Sequence, residues 1–96
     1  MGSRKRRLKR IQWDIVGRLV VIIRNNPGLK KTHIAMKSCL SYDKCGLYLE
    51  WMETMDLIKR EFDEKGFQLI RLTERGNDLY LTEFEQVEEQ EVVLVN

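Results

Sequence analysis

The sequence predicts a small α+β domain, mainly α, in which three helices are followed by a β-hairpin and a closing helix. Three observations carry that expectation. Apolar residues recur at spacings of three and four from residue 11 to about 55, alternate over 57–73, and return to helical spacing after Thr73. A charged turn, Asp63-Glu64-Lys65-Gly66, splits the alternating stretch in two. Glycine occurs six times and proline once in 96 residues, which favours regular elements over loops. The length allows one domain with a small core.

The first helix is expected within 11–28, where Ile11, Ile15, Leu19, Ile22 and Ile23 mark one face. Val16 and Val20 widen that stripe, as suits a central, mostly buried helix. Asn25-Asn26-Pro27-Gly28 stops it, because the residue before proline avoids helical angles and glycine accepts positive φ. A short second helix over 29–39 carries Ile34 inward, with Leu29 or Met36 as further candidates. Ser41 is the expected N-cap of a third helix, on which Cys45, Tyr48 or Leu49, Met52 and Met55 fall to one side.

In the hairpin, Ile58, Arg60 and Phe62 oppose Lys59 and Glu61 on the first strand. On the second, Phe67, Leu69 and Arg71 oppose Gln68, Ile70 and Leu72. The last helix is expected at about 73–90 with Thr73 as N-cap and with Leu79 or Tyr80, Phe84 and Val87 repeating along it. Two adjoining helices, a recognition-type third helix and a hairpin make the order of a winged helix-turn-helix. The expected organisation is a basic arm at 1–10, the winged domain at 11–90 and a tail at 91–96.

Charge is divided unevenly. Arg4, Lys5, Arg6, Arg7, Lys9 and Arg10 make residues 1–10 +6, whereas residues 83–91 carry −5, leaving about +1 for the rest of a chain of net charge +2. An unopposed basic arm suits a polyanionic partner. A solubilising terminus, or an arm and tail that neutralise each other, is the plainer alternative. The longest uninterrupted apolar run, residues 19–23, is far too short to span a bilayer, and no signal-peptide pattern is visible. A soluble, cytoplasmic, nucleoid-associated protein is the expectation.

Four pieces of sequence carry a family resemblance: Lys30-Lys31-Thr32-His33-Ile34, Leu40-Ser41-Tyr42, Tyr48-Leu49 and Leu72-Thr73-Glu74-Arg75-Gly76. Over about residues 11–85 the chain resembles the small archaeal winged-helix DNA-binding proteins of the ten-a chromatin family and related archaeal transcriptional regulators. The resemblance implies largely sequence-tolerant binding of double-stranded DNA. It also implies a homodimer joined through an antiparallel coiled coil of the last helix, so Leu79, Tyr80, Phe84 and Val87 are the expected seam. The alternative is that one domain buries these residues alone. Gly46 and Leu47 stand where the family usually has basic residues.

The candidate DNA contacts follow from position. Lys30, Lys31 and Thr32 open the second helix, whose end meets the phosphate backbone in this architecture. His33 is either a packing or capping residue or a further phosphate contact. Ser41, Tyr42, Lys44 and Leu47 belong to the outer side of the third helix, with Tyr42 and Lys44 suited to phosphates and Leu47 to a thymine methyl. Gly46 offers close backbone approach. Lys59, Arg60 and Lys65 are the wing cations, although Asp63 and Glu64 at its tip repel a phosphate. Trp13 and Trp51 are expected to pack.

The same residues argue against other chemistries. One histidine and two cysteines six apart do not supply four metal ligands. A Cys39–His33 pair would lack an orienting carboxylate and an oxyanion hole. Both cysteines are expected to pack as small hydrophobes. No enzyme activity, cofactor, metal or small-molecule substrate is inferred. The rival function is a protein-interaction adaptor of the same fold, motivated by Asp43, Glu50 and Glu53 on the third helix and by the acidic tail.

Overall fold

A computed structural model of the chain describes residues 10–85. Arg4, Lys5, Arg6, Arg7, Lys9 and Val87, with the expected end of the last helix, lie outside the described residues. Helices α1 (Trp13–Asn25), α2 (Lys31–Ser38) and α3 (Tyr42–Thr54) precede strands β1 (Ile58–Phe62) and β2 (Gln68–Leu72). Helix α4 (Glu74–Leu79) runs on into a π-helical turn, Tyr80–Phe84. This is the winged-helix order.

Helix α1 is central because its apolar stripe is wide. Ile15, Val16, Leu19, Val20 and Ile23 are all buried, two adjacent positions in each of the first two turns and one in the third. Burying one such side chain contributes about 1.5–3 kcal/mol, so no other element offers the core as much. From α3 come Cys45, Tyr48, Leu49 and Met52, from α2 Ile34 and Ala35, from the hairpin Ile58 and Ile70, and from the last helix Tyr80 and Phe84. Tyr48 adds a polar anchor, its hydroxyl accepting from the Gln12 N–H at 3.0 Å just before α1 begins.

The turn between α2 and α3 is tight. Cys39 adopts φ 61°, and the N–H groups of Cys39 and Leu40 donate back to Met36 and Ala35 at 3.2 and 3.1 Å. This is the paired closing bond of a Schellman cap, with cysteine where glycine is usual. Ser41 then caps α3 by accepting from the Lys44 N–H at 3.1 Å. The same device ends α3: Asp56 has φ 62°, and Asp56 and Leu57 donate to Glu53 and Met52 at 3.0 and 2.8 Å.

The hairpin is antiparallel with Ile58 opposite Leu72 and Phe62 opposite Gln68. It is extended by one residue from an unexpected source. Leu29, read from sequence as the start of the second helix, forms an isolated bridge to Ile70, whose N–H donates to the Leu29 carbonyl at 2.9 Å. The wing is therefore tied to the segment that enters α2.

Three apolar assignments need correction. Met36 is 71% exposed and Met55 41%, because each lies just off the buried stripe of its helix. Cys39 is exposed and serves the backbone turn, while Cys45 packs as expected. Trp13 packs as expected, its ring on that of Phe84 with centroids 5.5 Å apart, while its other side stays half exposed.

Candidate nucleic-acid interface

The start of α2 presents two consecutive lysines that part in opposite directions. Lys30 Nζ lies 3.7 Å from the centroid of the Phe67 ring, on the wing. Lys31 Nζ lies 4.1 Å from the centroid of the Tyr42 ring, on the first turn of α3. Each is a cation–π contact. Together they hold the wing, the start of α2 and the start of α3 around one basic region. Thr32 and His33 follow on α2 and are both exposed, which removes packing as an account of His33.

Helix α3 presents Ser41, Tyr42, Asp43, Lys44 and Glu50 to solvent, with Leu47 half-buried. Lys44 is the only basic residue that this helix itself contributes. Beside Tyr42 one turn on is Gly46, where an added Cβ would lie 2.7 Å from Lys31 Nζ and 3.1 Å from its Cε. Lys31 therefore occupies the flank of α3 that a side chain at residue 46 would fill. Burial pushes the Cys45 thiol above its ordinary range, and the Lys31 charge partly opposes that.

On the wing, Arg60 is the best-held cation. Its Nε donates to Glu53 Oε1 at 2.9 Å and its Nη1 to Gln68 Oε1 at 2.9 Å, joining β1 to both α3 and β2. Lys59 pairs with Glu61 at 3.5 Å, and Arg71 joins the same carboxylate at 2.7 Å. Lys65 stands at the exposed tip. The tip is built by Asp63, whose Oδ1 accepts from the N–H groups of Lys65 and Phe67, each at 2.9 Å. Asp63 thus holds together the turn in which it was expected, besides placing a negative charge at the tip. Phe62 and Phe67 flank this tip, 69% and 48% exposed.

Of the residues expected at a seam between chains, Tyr80 and Phe84 are already buried against α1, and Arg24 lies over the Tyr80 ring at 5.2 Å. Leu79 is half-buried and borders an open apolar groove of about 410 Å³ with Trp13, Trp51, Met55 and Leu57. Among the described residues no group of histidine, cysteine and carboxylate side chains is arranged to hold a metal ion, and no helix is long and apolar enough to cross a membrane.

Comparison with known proteins gives the same architecture. A family profile described as winged helix-turn-helix matches residues 9–91. Among solved structures, the transcriptional regulator SlyA superposes with a TM-score of 0.70 at 20% identity, over 83% of this chain and 58% of that one. A mutant of Staphylococcus aureus MepR bound to an oligodeoxyribonucleotide gives 0.70 at 23% identity, over 85% and 62%. The MarR family transcriptional regulator SPO1453 from Silicibacter pomeroyi DSS-3 gives 0.71 at 20% identity, over 83% and 57%. The chain spans about three-fifths of the length of these structures. A search of curated proteins finds no match.

Proposed function

The chain belongs to the winged helix-turn-helix family, and from that premise we propose that it binds double-stranded DNA as a transcriptional regulator or chromatin protein, mainly through phosphate contacts. The observation that carries this reading is the gathering of Lys30 and Lys31 where α2, the first turn of α3 and the wing meet. Lysine contacts to phosphate fix a protein on the duplex without reading sequence. Thr32, His33, Ser41, Tyr42 and Lys44 are exposed on α2 and at the start of α3 beside these lysines, the wing adds Lys59 and Arg60 on its two faces and Lys65 at its tip, and residues 1–10 add the densest charge. The solvent side of α3, with Asp43 and Glu50, is poorly suited to guanine edges, so base specificity is modest. The finer resemblance to archaeal ten-a chromatin proteins agrees with such sequence-tolerant binding, and a nucleoid-associated, cytoplasmic site of action follows from it.

The protein acts in this reading as a homodimer. The groove bordered by Leu79, with Trp13 and Met55 partly exposed, supports self-association better than Tyr80 and Phe84, which the chain buries by itself. Light scattering across a concentration series tests it, and a monomer at every concentration overturns it.

DNA binding is tested by fluorescence anisotropy with an unrelated set of duplexes over a salt series. The expected result is similar affinity for all duplexes and a log–log slope of about −0.9 per phosphate neutralised. Removing residues 1–10 should flatten the slope. Absence of binding at low salt overturns the reading and favours the adaptor, for which Phe62 and Phe67 at the wing tip offer an apolar contact surface.

A further inference from the structure

We propose that Gly46 is a positioning residue for DNA binding: it is the notch through which α2 lends Lys31 to the flank of the recognition helix. The inference rests on the DNA-binding reading and concerns how one phosphate contact is built. Three observations point to it. The solvent side of α3 carries Asp43 and Glu50 against Lys44, so the helix is short of cations of its own. Lys31 Nζ lies over the Tyr42 ring at 4.1 Å, a contact that holds the ammonium on α3 while leaving donors open to an oxygen ligand. The third observation is steric. A Cβ at residue 46 would come within 2.7 Å of that same nitrogen, nearer than atoms in contact allow.

Glycine inside a helix is costly, and nothing about α3 at residue 46 demands it conformationally, because Gly46 does not take positive φ. What the absent side chain supplies is room. Tyr42 and Gly46 are one turn apart on one flank, and Lys31 crosses that flank from α2. Ring and notch together fix a long, otherwise freely rotating side chain, so less ordering entropy is lost when a phosphate is met. The ligand class is a backbone phosphate of the duplex at the edge of the groove that α3 faces.

The test is Gly46→Ala, with Lys31→Ala and the double variant beside it. The methyl group meets the far end of a flexible side chain, so the fold should keep or gain thermal stability as a helical glycine is replaced. Lys31 should leave the Tyr42 ring, read by NMR as loss of the ring-current shift of its ε-methylene protons. Duplex affinity at low salt should fall roughly three- to tenfold, as for one charge-assisted contact. The log–log salt slope should lose about 0.9. The double variant should bind no worse than Lys31→Ala alone. If Gly46→Ala binds with unchanged affinity and slope, or if the two losses add, the inference is overturned while DNA binding stands. If the unaltered protein binds no duplex, the DNA-binding reading and this inference both fall.

Discussion

The ring of Phe84 rests on α1 at Gly17, so closely that a Cβ at residue 17 would lie 2.5 Å from Phe84 Cε1 and 2.8 Å from Cδ1. The missing side chain lets the last helix come down on the central one. Trp13, one turn earlier on α1, closes over the same ring. Gly17→Ala should therefore destabilise the fold by about 1–3 kcal/mol through overpacking, even though alanine is the better helix former. Urea denaturation followed by tryptophan fluorescence measures it. The contrast with Gly46→Ala, where stability holds, separates a glycine that admits the core from one that admits a surface lysine.

Asp63 makes a second prediction. Its Oδ1 accepts two backbone N–H groups of the wing turn. Asp63→Ala should cost about 1 kcal/mol and speed hydrogen exchange at the Lys65 and Phe67 amides. Asp63→Asn keeps an acceptor oxygen in place, so the turn should hold. Because it also removes a negative charge from the wing tip, duplex affinity should rise rather than fall. Equal exchange rates in the alanine variant and the parent protein would show that the turn does not depend on this side chain.

Much of this arrangement was legible in the sequence because it rests on local rules. Ser41 and Thr73 were identifiable as caps, and each accepts the N–H that its position requires, from Lys44 and Gly76. The change of period after residue 57 marked the hairpin, and Gly66 does take positive φ, 86°, in its turn. What stayed hidden has no local signature. Leu29 pairs as a single residue with a strand far along the chain, and one residue has no period. Cys39 and Asp56 hold left-handed cap positions where glycine would have been the cue. Tyr80 and Phe84 repeat as a seam does, yet α1 of the same chain covers them. The candidate site divides similarly. Its cations are visible as letters, whereas the contact of Lys31 with Tyr42 and Gly46 joins two helices and needs coordinates.

The Arg60–Glu53 pair yields a third prediction. At 2.9 Å, with side chains 21% and 45% exposed, it bridges the wing and α3 close to solvent. Such pairs contribute little, so Glu53→Gln should change stability by less than about 1 kcal/mol. It removes a negative charge from α3 and releases Arg60 toward a phosphate. Duplex affinity at low salt should then increase by roughly two- to fivefold, with a steeper salt slope. Arg60→Ala should move both quantities the other way. An unchanged slope in both variants would take Arg60 out of the interface.

The fourth prediction concerns the two left-handed caps. Cys39 and Asp56 close α2 and α3 at φ 61° and 62°, conformations that glycine adopts without the steric cost of a Cβ. The capping bonds are made by backbone groups, from Cys39 and Leu40 at one end and Asp56 and Leu57 at the other, so replacing the side chains leaves them intact. The side chains themselves point to solvent. Cys39→Gly and Asp56→Gly should each raise stability by about 0.5–1 kcal/mol, the relief of strain exceeding the added freedom of the unfolded chain. The sites close different helices and share no cap hydrogen bond, so the double variant should show the sum to within about 0.5 kcal/mol. Thermal or urea unfolding decides it. A loss of stability in Cys39→Gly would mean that the cysteine supports the helix-turn-helix by more than its backbone.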